Sequence, residues 1–159
     1  MPKTYDPIAT QTFSGQSSIT FSSIPSTYTD LILIWNGTSN AAQDTILRYN
    51  GDTASNYSWT RLIGNGSAAS SSRVSNATST VGGWADSGQV ANIVQIQNYS
   101  NTTTFKTGIV RSNAVTAGYV LSWVTLWRST AAINSIYIQP DSGGTFNNGN
   151  ITLYGIKAA

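Results

Sequence analysis

The sequence predicts an all-β chain folded as an antiparallel two-sheet sandwich, and three observations lead there. Apolar and polar residues alternate with the period of a strand through most of the 159 residues. Clusters of Asn, Asp, Gly, Pro and Ser separate the alternating runs, as reverse turns require. Strong helix formers are scarce, with no Glu and one Met, and no long window places apolar residues at helical spacing.

Taken in order, Ile19 and Phe21 alternate with Ser18, Thr20 and Ser22, the pattern of a half-buried strand. Residues 29–35 are apolar on both faces, which predicts a strand covered on both sides. Residues 45–49 form the next strand and stop at Asn50-Gly51-Asp52, a strong turn signal. The centre is less regular. Residues 55–63 fit a strand or one helical turn, residues 65–72 read as a Gly/Ala/Ser loop, and residues 73–81 read as a weak edge strand. Strands then follow over residues 90–97, 102–111, 118–128, 133–138 and 151–156. Tyr119, Leu121, Trp123 and Trp127 share one face of the longest. Residues 140–144 and 147–150 carry turn chemistry. Roughly eight to ten strands of this kind predict a jelly roll. Residues 8–159 form the sandwich, and residues 1–7, with Pro2 and Pro7, form an extended arm that lies on a neighbouring subunit.

Composition narrows function. The chain has no His, no Cys and no Glu, and its carboxylate side chains are six dispersed Asp residues. Histidine is the common general base near neutral pH, and the thiolate the common soft nucleophile, so the main routes to acid–base and covalent catalysis are missing. No catalytic residue is assigned: Asp44, Asp52, Asp86 and Asp141 read as turn and cap residues. No metal site or cofactor is expected either, although the polar loops at Asp52 and Asp141 resemble sparse Ca²⁺ loops. Net charge is +2, and the eight cations are dispersed and never adjacent, reading as solvated side chains without the basic stripe of a nucleic-acid-binding surface. No apolar run is long enough to cross a bilayer, and residues 1–7 hold no apolar signal core, so synthesis in a cytosol is expected.

Aromatic residues supply the binding candidates. Trp35, Trp123 and Trp127 fall in strong strand patterns and are assigned to the core. Trp59 and Trp84 stand in the irregular centre beside Arg61 and Asp86, a setting for an interface or a stacked sugar ring. With Lys3 and Tyr5 of the arm, these four residues are the expected interface.

Five stretches carry a resemblance: Tyr5-Asp6-Pro7-Ile8-Ala9; Ile24-Pro25-Ser26-Thr27-Tyr28-Thr29-Asp30-Leu31; Arg48-Tyr49-Asn50-Gly51-Asp52 with Asn56-Tyr57-Ser58; Leu126-Trp127-Arg128-Ser129-Thr130; and Leu153-Tyr154-Gly155-Ile156-Lys157. Together they resemble small β-rich virion proteins of tailed bacteriophages, most weakly over residues 66–89. Proteins of that group serve as head decoration (cement) proteins, head fibres and tail-fibre tips, and the decoration proteins are often trimeric jelly rolls. The resemblance implies a homotrimer on the outside of a phage head, bound to the major capsid protein. The short arm ahead of the first strand favours this role over a fibre tip, for which a host surface glycan is the alternative partner.

Overall fold

The structure, a computed structural model, describes residues 4–157. Its strands are β1 (Tyr5–Phe13), β2 (Ile19–Phe21), β3 (Asp30–Ser39), β4 (Gln43–Tyr49), β5 (Tyr57–Gly64), β6 (Ala69–Ala77), β7 (Thr80–Ala85), β8 (Val90–Gln97), β9 (Lys106–Ala114), β10 (Tyr119–Trp127), β11 (Ile136–Pro140) and β12 (Phe146–Ile156). They form two antiparallel sheets, one ordered β1-β12-β3-β8-β9-β10-β5-β6 and the other β2-β11-β4-β7.

Setting aside the hairpins β5–β6 and β9–β10 leaves eight strands. In chain order these pair first–eighth–third–sixth in one sheet and second–seventh–fourth–fifth in the other. That is the doubly wound Greek-key order of a jelly roll. The two hairpins pair with each other through β10 and β5 and extend the larger sheet beyond β8.

Alternation along the paired strands builds the core between the sheets. Leu31, Leu33 and Trp35 of β3, Leu47 and Tyr49 of β4, Leu121 and Trp123 of β10, and Ile151 and Leu153 of β12 are all buried in one cluster. The Trp35 indole donates to the Gly82 carbonyl at 3.0 Å, so this large ring is buried with its polar atom satisfied. Its ring also meets Phe146 edge-on, with centroids 5.4 Å apart. Ile32 is buried and Ile34 half-buried on the opposite face of β3, in keeping with its two-sided apolar pattern.

Four expectations need correction. Residues 147–150 are not a turn but lie within β12, where Gly149 pairs with Gly37 of β3 and a register shift separates Phe146 from Asn148. The Asn-Gly chemistry there serves a bulge and a close approach of backbones. Residues 73–81 divide between two sheets: β6, exposed and rich in Ser, is the outer edge, whereas Thr80 and Val81 open the buried strand β7. The expected loop over residues 65–72 shrinks to a turn in which the Asn65 side chain accepts from the amides of Ser67 and Ala68. The expected arm over residues 1–7 does not hold at residues 5–7, because Tyr5, Asp6 and Pro7 pair with Ile156, Gly155 and Tyr154, while residues 1–3 lie outside the described residues. Pro7 is tolerated because β1 is an edge strand whose register shifts just after it.

The segments that carry the resemblance converge at two places. At the first, Asp6 binds the Lys157 ammonium at 3.0 Å and accepts from the Tyr28 hydroxyl at 3.1 Å, while the Tyr28 ring covers Gly155. At the second, Asp52 accepts from the Trp127 indole at 2.7 Å and the Asn56 amide at 2.9 Å. There the Arg128 guanidinium reaches Ser58 Oγ, the carbonyls of Ser55 and Tyr57, and Asn76 Oδ1. Both are fasteners: one ties the edge strand and C-terminal strand to the sheet, and the other ties the β5–β6 hairpin to β10.

Lys106 departs from the expectation of solvated cations. It is 2% exposed, facing inward with Gly108 and Val110, and its Nζ donates to the carbonyls of Thr104 at 2.9 Å and Thr130 at 3.2 Å. Burial pushes its pKa down. A base with a depressed folded pKa costs stability at neutral pH, and the cost disappears as pH rises above that pKa. Lys106→Met is therefore expected to raise the urea midpoint at pH 7 by the equivalent of about 1–2 kcal/mol. The gain should shrink toward alkaline pH, and a loss of stability at pH 7 would contradict this account of the site.

Candidate functional site

A groove is lined by residues of β4, β5, β6 and β7 and of the turn after β11. It encloses about 380 Å³, and its lining includes Asp44, Trp59, Val74, Thr80 and Asp141. Each strand contributes by its alternation. Asp44 and Ile46 point away from the core while Thr45 and Leu47 point into it. Trp59 is half-buried on β5 between exposed and buried neighbours. Asp141 begins the single turn after β11, where its carboxylate also accepts from the Ser142 amide at 2.7 Å.

Arg61 stands beside two of the lining residues, Asp44 and Trp59. Its Nη1 lies 3.4 Å from Asp44 Oδ2 and 3.5 Å from Oδ1, long contacts for a charged pair. The same guanidinium sits 5.9 Å from the Trp59 ring centre, within cation–π range. Burial pushes the Asp44 pKa up, the Arg61 charge opposes that, and the charge of Asp141 adds to it, with a net upward shift. Asp44 is thus an acceptor held in partly desolvated surroundings with only a loose cationic partner.

The expected interface residues do not gather at one place. Trp59 lines the groove, and Arg61 sits against its ring. Trp84 lies on β7 opposite Asp44, half-buried against the core. Asp86 is fully buried and unavailable to a partner; its carboxylate accepts from Gly88 N at 3.2 Å, Thr116 N at 3.1 Å and Thr116 Oγ1 at 2.6 Å. It joins the β7–β8 connection to the β9–β10 turn, the work of a turn residue with Thr116 as its distant partner. Tyr5 is exposed on the far edge of the large sheet, edge-on to Tyr154, and Lys3 lies outside the described residues.

Asp44, Asp141 and Thr80 were not expected at a site. Asp44 and Asp141 read as turn and cap residues, and the structure instead places Asp44 within β4. Thr80 had no signal, because its neighbours read as an edge strand. Among the described residues no group of three or more His, Cys, Asp or Glu side chains is placed to hold a metal ion. No helix among them is long and apolar enough to cross a membrane. No protein-family model matches the chain, and no curated protein matches it.

Proposed function

We propose that the chain is a non-enzymatic structural protein of a tailed-phage virion, most specifically a decoration protein that sits as a homotrimer on the outside of the head and clamps neighbouring capsid subunits. The observation that carries this reading is the outer face of the extended sheet. Leu62, Val120 and Val124 are 55%, 72% and 61% exposed there, and Ile109 pairs beside Val124. Arg111 and Arg73 are its cations, on strands otherwise lined by Ser, Thr and Val. A charge-poor sheet face with exposed apolar side chains suits lateral packing of identical rigid domains. The resemblance to virion proteins supplies the particle. Decoration then works by linkage: many copies that bind only the expanded shell stabilise it against the pressure of packaged DNA.

Val124→Glu places a charge at the centre of this face without touching the core. Its expected outcome is an unchanged thermal midpoint, loss of the trimer in sedimentation, and loss of head occupancy. The broader test is a phage lacking the protein. Heads should assemble, then release DNA earlier than wild type on heating or on dilution into low magnesium. Stable heads that fail to adsorb to cells would move the protein to host recognition at a fibre tip, the second reading, which the Trp59 groove favours.

A further inference from the structure

The groove carries an assignment of its own. Among the described residues, five buried side-chain polar atoms have no hydrogen-bond partner: Gln43 Nε2, Arg61 Nε, Thr80 Oγ1, Trp84 Nε1 and Trp123 Nε1. Buried polar atoms are nearly always paired, so each exception calls for a reason. One of the five lies in the groove, and a second, Arg61, contacts its Asp44. Thr80 lines the groove directly and is 2% exposed. Arg61 contacts Asp44 from beside the lining, whereas Gln43 shares the core-facing side of β4 with Thr45 and its Nε2 lies against Gly144. An unmet hydroxyl beside two carboxylates and an indole describes a surface short of a ligand.

The chemistry of that ligand follows from what lines the space. Asp44 and Asp141 repel an anion. A bare cation finds two carboxylates, one of them already facing Arg61, well short of the six to eight oxygens that Ca²⁺ takes. A purely apolar segment would leave Asn76, Thr78 and Ser79 unpaired along the same wall. A neutral polyol meets each requirement: hydroxyls that donate to the carboxylates and pair with the unmet Thr80 hydroxyl, and a face of C–H bonds to lie on Trp59. The enclosed volume falls within the range of small-ligand sites.

We propose that the groove between β4, β6 and β7 binds a neutral saccharide unit, its ring resting on Trp59 and its hydroxyls bonded to Asp44, Asp141 and Thr80. Arg61 positions Asp44 and lies over one face of Trp59, leaving the other for the saccharide. This site is separate from the outer sheet face, so the assignment holds whether the chain sits on a head or at a fibre tip.

Saturation-transfer NMR and tryptophan fluorescence on the full chain test it, using the methyl glycosides of glucose, galactose, mannose and N-acetylglucosamine. At least one is expected to bind with a Kd of about 0.1–10 mM, the range of a single ring held by a few hydrogen bonds. Trp59→Ala should abolish that binding. Asp141→Asn, an exposed change that spares the fold, should weaken it about tenfold, and Val124→Glu should leave it unchanged. The assignment is overturned if none of the four transfers saturation, if binding survives both groove substitutions, or if calcium or lysine amide occupies the groove while no glycoside does. Those failures would leave the decoration reading untouched, because that reading rests on occupancy of heads.

Discussion

Gly149→Ala is expected to be the most damaging single methyl group that can be added to this protein. Gly149 has φ of 153°, a positive value that favours glycine, and sits opposite Gly37, itself at 153°. A Cβ at Gly149 would press on the Asn36 carbonyl oxygen and lie 2.6 Å from both the Gly37 Cα and the Phe13 ring. Two of those three obstacles are backbone in a central strand pair, and the third is a buried ring packed on Phe146 at 5.1 Å. None can yield cheaply, so the cost should reach about 4 kcal/mol or more. For a chain of this size that is a fall of about 10 °C or more in Tm. Gly37→Ala should behave alike, since its Cβ would meet the Asn148 carbonyl and the same ring. A midpoint within about 3 °C of wild type for either variant would contradict the register of β3 on β12.

Asp86→Ala should follow closely. Removing the carboxylate strands the amides of Gly88 and Thr116 and the Thr116 hydroxyl in a site with no exposure of Asp86 to water. Hydrogen bonds to a charged acceptor are the stronger kind, and unmet buried donors add to the loss, for a total of about 3–4 kcal/mol. The same site sets an acid limit. Burial pushes the Asp86 pKa up, but hydrogen bonds from Thr116, Gly88 and Ser87 outweigh it and hold the carboxyl below its ordinary value. Asp52 is depressed in the same way, chiefly by Asn56 and Trp127 against its own burial. A carboxyl with a lowered folded pKa contributes stability that is present above its unfolded value and lost as pH falls through the folded one. Stability should therefore hold steady down to about pH 4 and fall below it. Asp86→Asn should flatten part of that fall. Asp44, with its pKa raised, works in the opposite direction and offsets a little of the acid loss.

The strands were legible because each buries one face and the side-chain period is two; residues 90–97 match β8 residue for residue. The core positions of Trp35, Trp123 and Trp127 followed from the same pattern. What failed had physical reasons. Asn147 to Asn150 has the composition of a turn, but a pair of facing glycines under Phe13 needs the same residues. Trp59 and Trp84 looked irregular because their strands are interrupted by Ser and Gly, whose tolerance in a sheet depends on neighbours distant in sequence. Lys106 alternates like any strand residue, and only the carbonyls of Thr104 and Thr130 account for its burial. At the groove, Trp59 and Arg61 were visible as chemistry, whereas Asp44, Thr80 and Asp141 come from β4, β7 and the turn after β11. Local alternation carries no information about which distant segments meet.

The central claim concerns where the protein sits, and the number of copies per virion tests it most directly. Quantitative mass spectrometry of purified particles, normalised to the major capsid protein, with cryo-electron microscopy to locate the density, would read it. A decoration protein repeats with the capsid lattice, so about hundreds of copies on the outer head surface are expected. About tens of copies or fewer, confined to the tail, would contradict the account.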